Sequence, residues 1–163
     1  MFWVGFIKLA RARSTSFFLK RPPHAATTQR ACDYLKARLI NLAHVRMQLP
    51  ITLSASEPEP NIAIVKIDPG AYANHHPAAS EIFLLIEVAH TSLNIDRQEK
   101  APIYAKANIV EYWILDIIER RVYTFCKPSN QSYQEETILN QDAVLAPLAF
   151  PDIKIPCSEL FLA

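Results

Sequence analysis

Residues from His24 to Ala43 carry their apolar positions at spacings of three and four. Thr28, Ala31, Leu35, Leu39 and Leu42 share one side, and Arg30, Asp33, Lys36, Arg38 and Asn41 cover the other. That period predicts an amphipathic helix, with Pro22 and Pro23 just ahead of its first turn. The period then drops to two. Val45, Met47 and Leu49 alternate with Arg46 and Gln48, so Val45 to Leu53 reads as a half-buried strand, bent or at an edge near Pro50. The polar, proline-rich "SASEPEP" (Ser54 to Pro60) is a connector, "NIAIVKI" (Asn61 to Ile67) a second strand, and Asp68 to Gly70 a turn. The stretch to Ser80 reads as a loop or short helical insert. Ile82 to Ala89 is the most apolar run and predicts a central strand covered on both faces.

A second helix follows. Asp96 with Glu99 three residues on fits a capping box, and Pro102 predicts an irregular first turn. Ile103, Tyr104 and Ala107 are expected to face inward, and Asn108 to end the helix in the left-handed conformation. Glu111 to Asp116 is a further strand, Arg120 to Cys126 its hairpin partner, and Ser132 to Leu139 a third. The tail is expected against the core through Leu148, Phe150, Ile153 and Leu160. The order is helix, three strands, helix, strand, then a C-terminal β-meander: an α/β fold with a mixed central sheet flanked by helices.

Composition narrows the field. With 163 residues, half of them hydrophobic and a fifth charged, the chain suits one globular domain. A net charge of +1 gives no global pull toward nucleic acid or membrane. Cys32, Cys126 and Cys157 are too widely spaced for a zinc knuckle, and an odd number argues against a disulfide framework, so a cytoplasmic setting is expected. No stretch reaches membrane-spanning length. Gly5 and Gly70 are the only glycines, which excludes a phosphate-cradling loop. The charge is uneven: no acid precedes Asp33, while Lys8, Arg11, Arg13, Lys20, Arg21 and Arg30 do. Residues 1–21 therefore read as a separate basic and aromatic segment ahead of a domain spanning 22–163. A signal peptide fits poorly, because the basic residues follow the apolar stretch. A membrane-surface helix, a phosphate-contacting arm and a loosely attached leader remain open, the last being the expectation.

The chemistry centres on Glu87, a carboxylate deep in the apolar strand. A bare buried carboxylate is costly, so it either reaches solvent, pairs with a lysine or binds a metal. Asn61 opens the neighbouring strand and Lys100 lies at the following helix. Two oxygen ligands on adjacent strands with a nearby lysine describe a Mg2+ site for phosphodiester cleavage. The lysine would orient or deprotonate water, or neutralise phosphate. His75 and His76 read as a solvent-exposed pair. Ser92 lacks triad partners. His90, beside the site, reads first as a satisfied polar residue at a strand end, with phosphate contact as the alternative. Of Tyr112 and Trp113, one is expected in the core and the other at a surface.

The stretches "SEPEPNIAIV", "IFLLIEVAHTSLNIDRQEKAPIYAKANIVEYWILD" and "PLAFPDIKIPCSELF" resemble the Uma-type restriction endonuclease family common in cyanobacteria, placed in the PD-(D/E)XK nuclease superfamily. The resemblance covers roughly Pro22 to Leu162. It implies a restriction-endonuclease-like core, a Mg2+ or Mn2+ cofactor, DNA as partner and, for cutting two strands, a homodimer. The family's "EPD" aspartate, a metal ligand, falls on Asn61, and its "IEV" glutamate on Glu87. Ala89 stands where the superfamily lysine would be, and Lys100 is the substitute. The "YDR" aspartate falls on Asp96 and the first-helix histidine on His24. The acidic hairpin usual upstream is replaced by "LARARSTSFFLK". Asparagine at 61 keeps one carbonyl oxygen and removes a negative charge, so the resemblance implies the fold with weak or absent cleavage, or an inactive DNA-binding or protein-interaction module.

Overall fold

Proline is tolerated in a helix's first turn because its missing N–H has no partner there anyway. Pro22 and Pro23 accordingly lie inside the first turn of α1 (Pro22–Arg38) and not ahead of it. The structure, a computed structural model, describes residues 21–163. Apart from Arg21, the segment expected at 1–21 lies outside the described residues. Helix α1 ends at Arg38, short of the predicted Ala43, and Asn41 takes a positive φ of 62° in the turn that follows.

The sheet has six strands in sequence order. They are β1 (His44–Met47), β2 (Ile62–Val65), β3 (Ile82–Ala89), β4 (Glu111–Asp116), β5 (Arg121–Pro128) and β6 (Tyr133–Asn140). All neighbours are antiparallel except β3 and β4, whose parallel pairing requires the helical crossover between them. The mixed α/β architecture matches the expectation. The first strand is shorter than predicted: Gln48 turns to φ 52° and ends the ladder, leaving only an isolated bridge from Thr52 to Ala78 further on. A two-stranded ribbon, β7 (Val144–Leu145) with β8 (Ile155–Pro156), closes the chain.

Two cores lie on opposite faces of the sheet. One packs Ala31, Cys32, Leu35 and Leu39 of α1 on Ile62, Ile64, Leu84, Ile86, Val88, Trp113 and Leu115. The other packs Ala101 and Tyr104 on Ala63, Val65, Leu85, Ala89, Tyr112 and Ile114. Because both faces are covered, Tyr112 and Trp113 are both fully buried, which corrects the expectation of one surface aromatic. The tail lies against the core through Leu160, with Phe150 and Ile153 at the margin, as expected, but Leu148 is exposed and Leu145, Ile155, Cys157 and Phe161 are buried as well. Cys32 and Cys157 are free and buried, and Cys126 is free and half-buried.

The backbone of Leu148 still anchors the tail. Its N–H donates to Glu111 Oε2 at 2.8 Å, and Trp113 Nε1–H donates to Glu111 Oε1 at 2.8 Å. Burial outweighs these two bonds and pushes the Glu111 carboxyl up to about 7. A folded-state value above the unfolded one means the folded chain holds the extra proton, so this group's contribution declines as pH rises from the ordinary carboxylate range through about 7. A shift of that size corresponds to at most about 3 kcal/mol. Urea unfolding at pH 5 and pH 8 should show the wild type losing stability relative to Glu111→Gln by up to that amount. A difference independent of pH would reject the assignment.

Candidate active site

The crossover helix is wound in three consecutive pieces: α2 (Leu93–Ile95), a π-helical turn (Asp96–Lys100) and α3 (Ala101–Lys106). Ala101 N–H bonds to Asp96 O, five residues back. The wide turn accommodates Pro102, which lacks an N–H and whose ring would crowd the carbonyl four residues earlier in a regular helix. The irregularity expected from Pro102 is therefore present. The capping box is not: the helix begins before Asp96, and Asp96 is buried inside it. Ile103 points to solvent, not inward, while Tyr104 is buried. Asn108 ends the helix at φ 61°, as expected.

Asp96, Lys100 and Tyr104 follow one another at steps of four along this helix and meet Glu87 on β3. Lys100 Nζ lies 3.2 Å from Glu87 Oε1 and 2.8 Å from Asp96 Oδ1. Tyr104 OH donates to Glu87 Oε1 at 2.9 Å. Ser92 Oγ donates to Asp96 Oδ2 at 2.7 Å, which gives Ser92 a positioning role in place of a nucleophilic one. Just ahead of β2, Asn61 N–H reaches Glu87 Oε2 at 3.4 Å, and Asn61 Oδ1 accepts Val88 N–H at 2.7 Å. The structure thus brings together Asn61, Glu87, Asp96 and Lys100, residues far apart in sequence.

Burial raises the Glu87 carboxyl above its ordinary range, and Asp96 adds to this, against the opposing pull of Lys100 and Tyr104. Burial alone would lower Lys100, but Glu87 and Asp96 together outweigh it and raise the ammonium's pKa. Lys100 is therefore a fixed cation near neutral pH, suited to neutralising negative charge and unsuited to accepting a proton. Burial and the Glu87 charge hold the Tyr104 phenol well above its usual value, so it acts only as a donor.

These donors do not fit a divalent metal as arranged. Glu87 Oε1 is taken by an ammonium and a phenol, and the neighbouring position offers an amide whose carbonyl is bonded to Val88 N–H. Among the described residues no three His, Cys, Asp or Glu side chains gather around a point that could hold an ion.

The remaining candidates lie at the edges. His24 sits in the first turn of α1, where its carbonyl accepts Thr28 Oγ1–H at 2.8 Å. His90 directly follows β3, half-buried, with its Nδ1 buried and without a hydrogen-bond partner among the described residues, so it is not the satisfied polar group expected there. His75 is exposed against Tyr72, while His76 is half-buried. Tyr104 is a site residue that sequence reasoning placed only in the core; its four-residue spacing from Lys100 was the available signal.

A model of the family described as "Uma2: Putative restriction endonuclease" matches residues 19–158. Among solved structures, the chain is similar to a "putative nuclease belonging to DUF820" from Anabaena variabilis. The TM-score is 0.64 at 16% identity, covering 85% of this chain and 80% of that one. At that identity the likeness establishes the fold alone. No curated relative matches the chain.

Proposed function

Because the chain belongs to the Uma2 restriction endonuclease family, we propose that it is a Mg2+-dependent DNA endonuclease whose cleavage site is impaired by Asn61. One observation carries this reading: a buried carboxylate, Glu87, with Lys100 Nζ at 3.2 Å, stands beside an amide at Asn61 where the family's second carboxylate is expected. In this reading Glu87 is what remains of the family's metal-binding pair, and its engagement by Lys100 and Tyr104 beside an amide at Asn61 is what impairs the site. Lys100 is the cation that neutralises charge on the scissile phosphate, and Asp96 and Tyr104 hold the pair in place. His24 and His90 stand as supporting residues. Two-strand cleavage calls for two such sites, so a homodimer is part of the reading, as is a cytoplasmic location. No helix among the described residues is long and apolar enough to cross a membrane.

A second reading is favoured by the bond from Val88 N–H to Asn61 Oδ1, which commits that oxygen to structure. Here the protein is an inactive DNA-binding or protein-interaction module. Nicking of supercoiled plasmid with Mg2+ and with Mn2+ separates the two. Weak nicking by the natural protein, lost in Glu87→Ala, is the expected result. Nicking by Asn61→Asp alone means a disabled but otherwise intact site. Silence in all three proteins rejects the endonuclease reading in favour of the module.

A further inference from the structure

We propose that the open edge of β1 is a docking site for an extended acidic segment of a partner protein, which adds to the six-stranded sheet as one more strand. Among the described residues, β1 is an edge strand, paired on one side only, with β2. Gln48 N–H bonds to Asn61 O just beyond the ladder. In an antiparallel pair, inward-bonded and outward-facing residues alternate. Counting back from Gln48, Arg46 and His44 bond inward, and the N–H and C=O of Val45 and Met47 face away from β2. Those groups are the template that strand addition uses.

A shallow, open groove of about 640 Å³ runs along this edge. It is walled from both faces of the sheet. On one wall stand Lys36, in the last turn of α1, and Ile40, just beyond it; on the other His44 and Arg46 turn toward Tyr72, the guanidinium 5.1 Å from the ring centre. Two walls flanking a strand edge suit a chain whose side chains alternate up and down. Among the described residues no acidic side chain lines the groove, while Lys36 and Arg46 do. That charge complements an acidic occupant. Ile40 is 70% exposed and Leu49, also at the groove, 45%. Together with the open backbone edge, these apolar positions favour a peptide over a phosphate backbone.

Segments of the same chain are poor occupants. Residues 1–20 contain Lys8, Arg11, Arg13 and Lys20 and no acid. The acidic connector places Pro58 and Pro60 beside its glutamates, removing N–H groups that pairing needs. In β6, Glu135 and Glu136 are already paired with Lys127 and Arg97.

The test uses the full chain and a fluorescein-labelled peptide of about ten residues alternating glutamate and valine, followed by anisotropy. Saturable binding is expected, weakened by salt. Lys36→Glu combined with Arg46→Glu should reduce affinity at least about tenfold, the charges being reversed at the groove wall. Met47→Pro removes one outward N–H and leaves the β2 bonds intact, as proline at an edge permits, and should reduce affinity comparably. Circular dichroism verifies that each variant folds. Lys36→Glu alone, at an exposed helical position, keeps the test decisive if Arg46→Glu does not fold. The proposal is overturned by absence of saturable binding, or by binding insensitive to Lys36→Glu and Met47→Pro. Stronger groove-dependent binding of single-stranded DNA also overturns it, since the groove is then a nucleic-acid path. Self-association abolished by Met47→Pro overturns it in favour of a second copy as occupant.

Discussion

Lys100→Met should destabilise the protein by about 3 kcal/mol at pH 8, measured by urea unfolding. Glu87 and Asp96 are 2% and 1% exposed, and Lys100 is the cation that holds both. Breaking a buried ion pair from one side costs roughly 3–5 kcal/mol, because the charge left behind is uncompensated. The low end applies here, since the Lys100 side chain keeps 37% exposure and water already screens part of the interaction. Burial already raises the Glu87 carboxyl, and without the lysine it rises further. A carboxyl whose folded pKa lies above its unfolded one favours the folded state less as pH increases. The variant should therefore lose less stability at pH 5, where Glu87 can take up a proton, than at pH 8. An equal loss at both values would mean that Lys100 contributes by packing its aliphatic stem and not by its charge.

Asn61→Asp should create Mg2+ affinity about two decades above that of the natural protein. Either oxygen of the new carboxylate could keep the bond from Val88 N–H, now 2.7 Å from Asn61 Oδ1. The other would replace the amide nitrogen with a hard, charged acceptor near Glu87, whose Oε2 lies 3.4 Å from the Asn61 backbone nitrogen. At an effective dielectric of about 20, a carboxylate a few ångströms from a divalent ion contributes several kcal/mol. Desolvation offsets part of this, and a remainder of about 3 kcal/mol is about two decades in Kd. Calorimetric titration with MgCl2 reads this directly, without depending on cleavage. The thermal midpoint gives a second readout: without metal the variant should melt below the natural protein, because two carboxylates repel, and Mg2+ should reverse the order. Equal affinity in both proteins would show that the Lys100 ammonium already fills the cation's place, so that Asn61 is not what disables the site.

Much of this fold was legible along the chain because its signals are local. The run Ile82–Ala89 has no polar residue except Glu87, and only a strand covered on both faces can bury such a run; it is indeed third of six strands. Asn108 ends its helix because asparagine tolerates the left-handed region. The errors share a cause. Asp96 looked like a cap because its spacing to Glu99 is that of a capping box, yet a half-buried lysine four residues on was a stronger partner than the backbone N–H groups of a helix end. Ile103 and Leu148 are apolar residues left exposed, since the cores were filled by Tyr104 and by the tail residues Leu145, Ile155 and Phe161.

The sequence by itself determined the element order, the central strand and the presence of one acid that needed a partner. Those follow from periodicity and from the cost of burying charge, which act within a few residues. Only the tertiary structure decided what that partner is. Antiparallel pairing sets Asn61 beside Glu87, and the π-helical turn brings Asp96 and Lys100 onto the same carboxylate, across separations that no local pattern encodes. That geometry keeps Lys100 charged near neutral pH and commits the Asn61 carbonyl to Val88 N–H, because an unpaired polar group is costly in a low-dielectric interior.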